Sequence, residues 1–548
     1  MKIEDLTREE LIDLLKTIES KKKYGLVWET EKVIENFLVK TRPFFPILKE
    51  DVAKCVINAT NDNPHILIEG ENLHALQILN YTHNSKVDLI YIDPPYNTGK
   101  DFIYNDQYVD DEDTFRHSKW LSFMSKRLEL CKDLLAPNGF IFISIDDHEY
   151  AQLKILCDEI FGGIQDKNYV GTFVWQRAKG GGNSKKIVRG HEYILVYCNG
   201  TDQLLTQEGN KTSEHLRKFN DPKFKDKYMV RDGIVYFIND DTIRRVFGKY
   251  EKGTERRCEY ENLLKFKSQK VKDEIDNLIS IGEYILVKQK SGLHYICKLE
   301  PVAGMRQAMY SLIQGHLTEV GKNDLINLGM DLSFDYPKPV SLMKLLLDSI
   351  NKKDALILDF FAGSGTTAQA VMELNDSDDG KRQAILVTNN EANICTEVTY
   401  PRLEKVLRGY KTPTGEIKGP LKDSLMYFKI EYIPKTSNSD EMLVSLSEEV
   451  ADAIRVKEGV FEEIQTESIN FRIFKNKKRI LGIYHALDYS ELDNMRNLLE
   501  LSEQDVKSAY VFTFDNFGLN KNDFIGWDNI SLEALPFKIF EIVSKYNA

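Results

Sequence analysis

The sequence predicts an α/β fold, a mostly parallel sheet with helices on both faces, interrupted by an inserted domain. Three observations lead there. Short β-branched and aromatic runs alternate with helix-periodic stretches. Two of those runs end in abrupt turns, one rich in proline and one in glycine. The alternation breaks down near residue 200 and returns near residue 320.

In chain order, residues 1–50 read as a helical preamble, with Thr7-Arg8-Glu9-Glu10 resembling a capping box ahead of an apolar stripe. Ile66-Leu67-Ile68 is a short strand, followed by a turn and a helix over residues 73–79. Val87–Ile92 is a buried strand that stops at Asp93-Pro94-Pro95-Tyr96, because two prolines in succession cannot continue a ladder. A helix over residues 120–135 ends at Ala136-Pro137-Asn138-Gly139, a strand covers residues 140–145, and a helix over residues 151–161 closes at Gly162-Gly163. Residues 193–197 form the next strand. Residues 200–320 are less regular, with strand-like pieces at residues 234–237 and 284–287. The alternation resumes with a helix at 340–350, a strand ending at Asp359, a turn Phe361-Ala362-Gly363-Ser364-Gly365-Thr366, a helix at 368–374 and a strand at 384–387. An α+β unit follows from about residue 425, with a strand at 479–484.

Composition limits the function. A chain of 548 residues is too long for one core, so about three or four domains are expected. No run approaches a membrane span and the amino terminus has no apolar signal core, which predicts a cytoplasmic protein. The seven cysteines stand singly, without a CxxC pair, so neither a disulfide framework nor a metal site is expected. Net charge is −12, but the charge is unevenly placed. Residues 167–190 hold six basic side chains and no acid, among them Arg177, Lys179, Lys185 and Lys186. Basic residues interleaved with aromatics continue through residues 211–272, including Arg244 and Arg245, while residues 440–467 are acidic. The middle of the chain is therefore the part suited to face phosphates.

Two turns carry chemistry. After Asp359, Gly363 and Gly365 permit a tight turn and Thr366 opens a helix whose free N–H groups face whatever lies beyond the strand. Asp359 and, after the next strand, Glu391 suit a ligand bearing an ammonium group and a ribose diol. The turn lacks the GK[ST] of a nucleotide-triphosphate loop and the third glycine of a dinucleotide fingerprint. The other turn presents Asp93, the Pro94 carbonyl and the Tyr96 ring. An aromatic exocyclic amine is a poor nucleophile, and acceptors for its two hydrogens would localise its lone pair. A base inside a duplex must be flipped out to reach such a pocket. None of the cysteines follows a proline, which argues against a thiolate mechanism at cytosine C5.

DPPY with FAGSGTT, about 270 residues apart and in that order, resembles the beta class of amino-methylating DNA methyltransferases. The stretches IEGENLHAL, DPPYNTGKDFIYND, FISIDDHEYAQLK, HEYILVY, FDYPKP, LDFFAGSGTTAQAVMELN and TEVTYPR resemble those of the Mod subunits of type III restriction–modification systems. The resemblance implies a Rossmann-like core dependent on S-adenosylmethionine, methylating adenine N6 in double-stranded DNA. It implies a catalytic loop of Asp93, Pro94, Pro95 and Tyr96, and a cofactor site of Asp359, Phe361, Ala362, Gly363, Gly365, Thr366 and Glu391, with Lys338 and Asn72 nearby. It also implies a homodimer and an ATP-dependent restriction subunit as partner. The expected organisation is a helical segment (1–55), a catalytic half (56–200), a target-recognition insert (201–325), a cofactor-binding half (326–424) and a C-terminal domain (425–548). An orphan methyltransferase without a restriction partner, a DNA-binding specificity subunit with little catalysis, and methylation of RNA or of a protein glutamine remain as alternatives.

Overall fold

The computed structural model describes residues 36–58, 63–98, 116–163, 167–180, 187–200, 203–208, 227–230, 234–237, 260–266, 268–282, 284–288, 292–301, 306–330, 336–436, 438–515, 519, 524–535 and 539–541. The chain divides into two compact units. One comprises residues 1–204 and 310–548, and the other is Leu205–Met309.

The larger unit is built on a ten-stranded sheet. Its strands are β1 (Phe44–Glu50), β2 (His65–Glu69), β3 (Val87–Ile92), β4 (Leu135–Ile145), β5 (Tyr169–Gln176), β6 (His191–Cys198), β7 (Leu312–Ile313), β8 (Leu356–Asp359), β9 (Gln383–Thr388) and β10 (Leu425–Pro434), in the order β1-β10-β2-β9-β8-β3-β4-β6-β5-β7. The six strands from β10 to β4 are mutually parallel. β1 is antiparallel on one side, and β6 runs antiparallel to both β4 and β5. Parallel strands are buried on both faces, which is why β3 from Leu89 onward and β8 up to Leu358 read as apolar runs rather than alternating ones. Leu89, Ile90, Ile92, Leu358 and Ile143 are all fully buried.

The helices are α1 (Asn72–Thr82), α2 (Arg116–Leu134), α3 (Tyr150–Phe161), α4 (Thr318–Asn327), α5 (Val340–Asp348), α6 (Thr366–Asp378) and α7 (Tyr400–Arg408). α1, α2 and α3 pack side by side, and α5, α6 and α7 form a second group. From β3 the chain crosses through α2 to β4; from β8 it crosses through α6 to β9 on the other side. β3 and β8 are neighbours, with Leu89 opposite Ile357 and Ile90 opposite Leu358. The strand order therefore reverses between them, and the loops after both strands diverge to leave a crevice at that edge.

Three boundaries within the larger unit differ from the sequence reading. Residues 44–50, assigned to a helical segment, form β1 and close one edge of the sheet; residues 1–35 lie outside the described ones. The stretch Ala136-Pro137-Asn138-Gly139 does not precede β4 but lies inside it, across a register shift between Val87 and Leu89 and with Asn138 at φ 68°. A bulge admits proline and a left-handed residue to a strand that otherwise excludes them. β10, placed in the C-terminal domain at residue 425, belongs to the central sheet between β1 and β2.

The C-terminal region continues the same unit. Helices α8 (Ser439–Glu449) and α9 (Ala451–Glu458) lead to a sheet of β11 (Glu462–Ile464), β12 (Phe471–Lys475), β13 (Arg479–Tyr484), β14 (Val506–Phe512) and β15 (Ser531–Leu535), in chain order, with α10 (Leu492–Glu500) between β13 and β14. The buried Arg455 of α9 fastens it to the core. Its Nη1 donates to Glu50 Oε2 at 2.6 Å and to Asp452 Oδ1 at 2.7 Å, and its Nη2 donates to the Phe461 carbonyl. In a site closed to water such a pair is kept only because every charge has a partner.

The second unit holds an antiparallel sheet ordered Tyr284–Lys288, His294–Pro301, Ile234–Phe237, Lys227–Val230, with a helix Gln269–Ser280. Thr206–Glu208 pairs with Arg306–Ala308, so its first and last described strands meet in one ladder. The unit is shorter than the expected insert of 201–325; residues 310–325, including β7 and most of α4, belong to the larger unit.

Candidate active site

Both chemical turns lie at the crevice between β3 and β8. Beyond β3, Trp120 of α2 donates its indole N–H to the Pro95 carbonyl at 2.7 Å, which anchors the proline turn from behind. Asn97, fully buried with φ 57°, ends the turn and donates to the buried carboxylate of Glu149, which His117 also contacts at 2.7 Å. The loop is thus held at its middle and its end, while Asp93 faces the crevice edge.

Both oxygens of Asp93 are engaged by neighbouring side chains. The Tyr96 hydroxyl donates to Asp93 Oδ1 at 2.7 Å, and Lys338 Nζ donates to Asp93 Oδ2 at 2.7 Å. Lys338 Nζ also lies 3.1 Å from the Tyr96 oxygen and 3.4 Å from Glu192 Oε2. Glu192 of β6 is buried, and its other oxygen accepts from Arg177 Nη1 at 2.7 Å. Two carboxylates and two cations alternate here, so the cluster is close to electrically neutral. Burial, with the charges of Asp93 and Glu192, holds the Tyr96 phenol well above its ordinary range, so it remains a donor. Burial would lower the Lys338 ammonium, but Asp93 and Glu192 outweigh it and raise it instead.

The glycine turn is shaped as the sequence requires. Gly363 has φ 49° and Gly365 φ 79°, the latter capping α6. A Cβ on Gly365 would sit 3.1 Å from Thr399 Cγ2. Asp359 does not point freely into the crevice. Its carboxylate accepts from the Phe361 N–H at 3.0 Å and from the Thr367 hydroxyl, and burial with the nearby Asp93 charge pushes it up to about 7. Phe361 is half-buried against the rings of Phe123 and Phe360, and Ala362 is buried. Glu391 lies exposed just past β9, its N–H donating to Asn389 Oδ1.

Other predicted residues prove to be tied to the protein itself. Asn72 donates to the Phe360 carbonyl at 3.0 Å and accepts from Arg127 Nε at 2.6 Å, so its amide is a strut under the crevice. Lys338, expected beside the cofactor, sits on the proposed catalytic carboxylate. Arg177 spends a guanidinium N–H on Glu192 before any phosphate is near, while Lys179 is exposed. Lys185, Lys186, Arg244 and Arg245 lie outside the described residues.

Sequence reasoning missed two residues at the site. Glu192 stands in HEYILVY at the head of an apolar strand, where an acid is out of pattern. Arg402 of α7 is fully buried beneath the glycine turn. It donates to Gln369 Oε1 at 2.7 Å, to Ser364 Oγ at 3.0 Å and to Thr366 Oγ1 at 2.8 Å. A π-helical turn, Ile394–Thr399, precedes α7 and brings the Thr399 hydroxyl to donate to the Gly363 carbonyl at 2.6 Å. Both residues lie in stretches already quoted, but only the fold reveals what they touch.

The sequence profile of a family described as DNA methylase, covering the N6 and N4 methyltransferases, matches residues 87–397, more than half of the chain. The chain belongs to this DNA methylase family. Its chemistry is transfer of a methyl group from S-adenosylmethionine to an amino nitrogen of a DNA base. The StyLTI Mod subunit, a type III restriction–modification protein of Salmonella typhimurium, is 33% identical over 64% of this chain and 57% of its own length. The EcoP15I Mod subunit of Escherichia coli is 29% identical over 80% of this chain and 76% of its own. The type II methyltransferase M.KpnI of Klebsiella pneumoniae is 33% identical over 60% of this chain and 82% of its own.

The crevice fits the cofactor on its own evidence. Glu391, exposed just past β9, gives one edge an anionic group that suits a ribose diol or a cationic ligand, while Asp359 fixes the backbone of the glycine turn. Two positive-φ glycines and the amino end of α6 open the backbone to a ligand between them.

Proposed function

We propose that this chain methylates N6 of adenine at a specific sequence in duplex DNA, as the modification and specificity subunit of a type III restriction–modification system. The observation that carries this reading is the placement of Asp93-Pro94-Pro95-Tyr96 and the glycine turn on adjacent parallel strands at the point where strand order reverses. Asp359, Phe361, Ala362, Gly363, Gly365, Thr366 and Glu391 would hold S-adenosylmethionine, which supplies an electrophilic methyl group when bound. The Asp93 carboxylate and the Pro94 carbonyl accept the two amine hydrogens of a flipped adenine. That localises the nitrogen lone pair and stabilises positive charge as the bond forms. The Tyr96 ring gives the base a flat wall, and Trp120 keeps the turn in place through Pro95.

A groove of about 410 Å³ beside this site supports a DNA approach path. Arg177, Lys179, Lys322, Thr318 and the exposed ring of Tyr336 line it, with Glu319 the acid among them. Cations with an exposed aromatic suit a phosphate backbone and an unstacked base. Similarity to Mod subunits supports type III membership; in this reading the chain would act as a homodimer with an ATP-dependent restriction subunit as partner, and the second unit, Leu205–Met309, would read the sequence. The two Mod relatives are named as subunits of restriction–modification enzymes, which favours this reading over an orphan enzyme, and M.KpnI is named a methyltransferase, which favours it over a catalytically idle specificity subunit.

Mixed-sequence duplex DNA and tritiated S-adenosylmethionine test the reading. The wild type should transfer label to adenine, and Asp93→Ala should lower the rate by about 10³-fold or more. Label in cytosine, or equal transfer to RNA, would refute it. Lys179→Ala should weaken DNA binding and flatten its salt dependence.

A further inference from the structure

Each oxygen of Asp93 already accepts one short hydrogen bond, so an incoming amine competes with a resident donor for the carboxylate. Tyr96 holds Oδ1 and Lys338 holds Oδ2, each at 2.7 Å. The two occupants are not equally free to leave. Tyr96 belongs to the same four-residue turn as Asp93, so its ring stays in place, and its hydroxyl makes its shorter contact to Asp93 at 2.7 Å and a longer one to Glu192 Oε2 at 3.1 Å. Lys338 comes from a different segment, on a four-carbon stem that reorients without moving the backbone. Its ammonium already lies 3.4 Å from Glu192 Oε2.

We propose that Lys338 is a placeholder on Asp93, and that Glu192 receives its ammonium when an incoming amine takes the Asp93 oxygen. Lysine Nζ and the arriving group are both N–H donors, so each satisfies the same acceptor in the same way. The transfer needs a displacement of under about 1 Å, since Nζ starts at hydrogen-bond distance from one carboxylate and just outside it for the other. Lys338 keeps a carboxylate partner throughout and Asp93 keeps a donor on each oxygen, so no buried polar group loses its hydrogen bond during the exchange. Arg177 makes the receiving end dependable: by holding the far oxygen of Glu192 at 2.7 Å it fixes the near one toward Lys338. Glu192 is therefore a positioning residue, acting on the substrate through Lys338. The inference rests on the reading of Asp93 as an amine acceptor. The arriving donor is an amine in either case, the exocyclic amine of the target base or the α-ammonium of the cofactor.

The test compares amine-bearing ligands with amine-free ones on the full chain. One arm measures the Kd of a duplex carrying adenine at the methylated position, mapped by sequencing DNA from cells expressing the chain, against purine at that position. The other measures S-adenosylhomocysteine against its analogue lacking the α-amino group. In the arm that uses the amine, Glu192→Gln should cut the wild-type preference for the amine at least 5-fold, because Lys338 then stays on Asp93. Glu192→Asp, which keeps the charge, should fall between them. Adding Lys338→Met to Glu192→Gln should restore the preference to within about 2-fold of Lys338→Met alone. An effect in the DNA arm assigns the placeholder to the target base, and an effect in the cofactor arm assigns it to the cofactor. Unchanged preferences in Glu192→Gln, or further loss in the double variant, would overturn the proposal and leave an ordinary ion pair. Failure of the wild type itself to methylate adenine would instead overturn the reading of the site.

Discussion

Asn72 donates its side-chain amide to the Phe360 carbonyl at 3.0 Å and accepts from Arg127 at 2.6 Å, joining α1, α2 and the strand-ending turn of β8. These elements come from opposite halves of the core, 288 residues apart in the case of Asn72 and Phe360. The crevice edge is therefore supported from below by one amide whose oxygen and nitrogen are both engaged.

Asn72→Ala leaves the buried Arg127 without that acceptor and Phe360 without its donor. The expected loss is about 2–3 kcal/mol of stability. Calorimetric titration should also show weaker cofactor binding, because the turn after β8 loses its lower support. A stable variant with unchanged affinity would show that Asn72 is not a strut.

Arg402→Met should be more damaging. It strips donors from Gln369, Ser364 and Thr366 at once, all beneath the glycine turn. Burial lowers this guanidinium to about 10, yet it remains charged at neutral pH. Chemical denaturation should show a loss of about 2–4 kcal/mol, with methyl transfer falling through weaker cofactor affinity rather than slower chemistry.

The pH dependence follows from Asp359. Burial raises this carboxyl from 3.8 to about 7 in the folded chain, while the unfolded chain keeps the ordinary value. Between those values the folded state binds more protons, so the contribution of Asp359 is greatest below the unfolded value and is lost as pH rises to about 7. Thermal melts of Asp359→Asn and wild type should therefore diverge with pH. The variant should gain on the order of 2 kcal/mol relative to wild type between about pH 5 and 7. Parallel melting curves would contradict the assignment.

Arg455→Met tests the attachment of the C-terminal region. It leaves the buried Asp452 and the partly buried Glu50 without their cation, and about 3 kcal/mol should be lost. Because β1 carries Glu50, the loss should appear in the single main unfolding transition. A separate early transition would mean that the C-terminal sheet unfolds by itself.

How much of this was legible beforehand varied by element. β3, β8 and β9 could be read almost to the residue, because a parallel strand buried on both faces is largely apolar and gives way to polar or turn-forming residues where it ends. β1 and β10 could not. They lie at one side of the sheet, where β10 becomes polar past Phe428 and β1 carries Lys49 and Glu50, so their pattern is not that of a buried strand. The pairing that recruits them to the core is a long-range event without a local signature.

The sequence by itself determined the kind of chemistry. The residue types in the two turns, and their positions after apolar strands, follow from what a strand can tolerate and what an amine or a ribose requires. Only the tertiary structure decided who touches whom. Lys338, Glu192 and Arg177 are separated by up to 161 residues, yet they form one chain of charge on Asp93. No local pattern encodes that arrangement, because a buried ion pair depends on which strands become neighbours, and strand order is settled only when the whole sheet closes over its core.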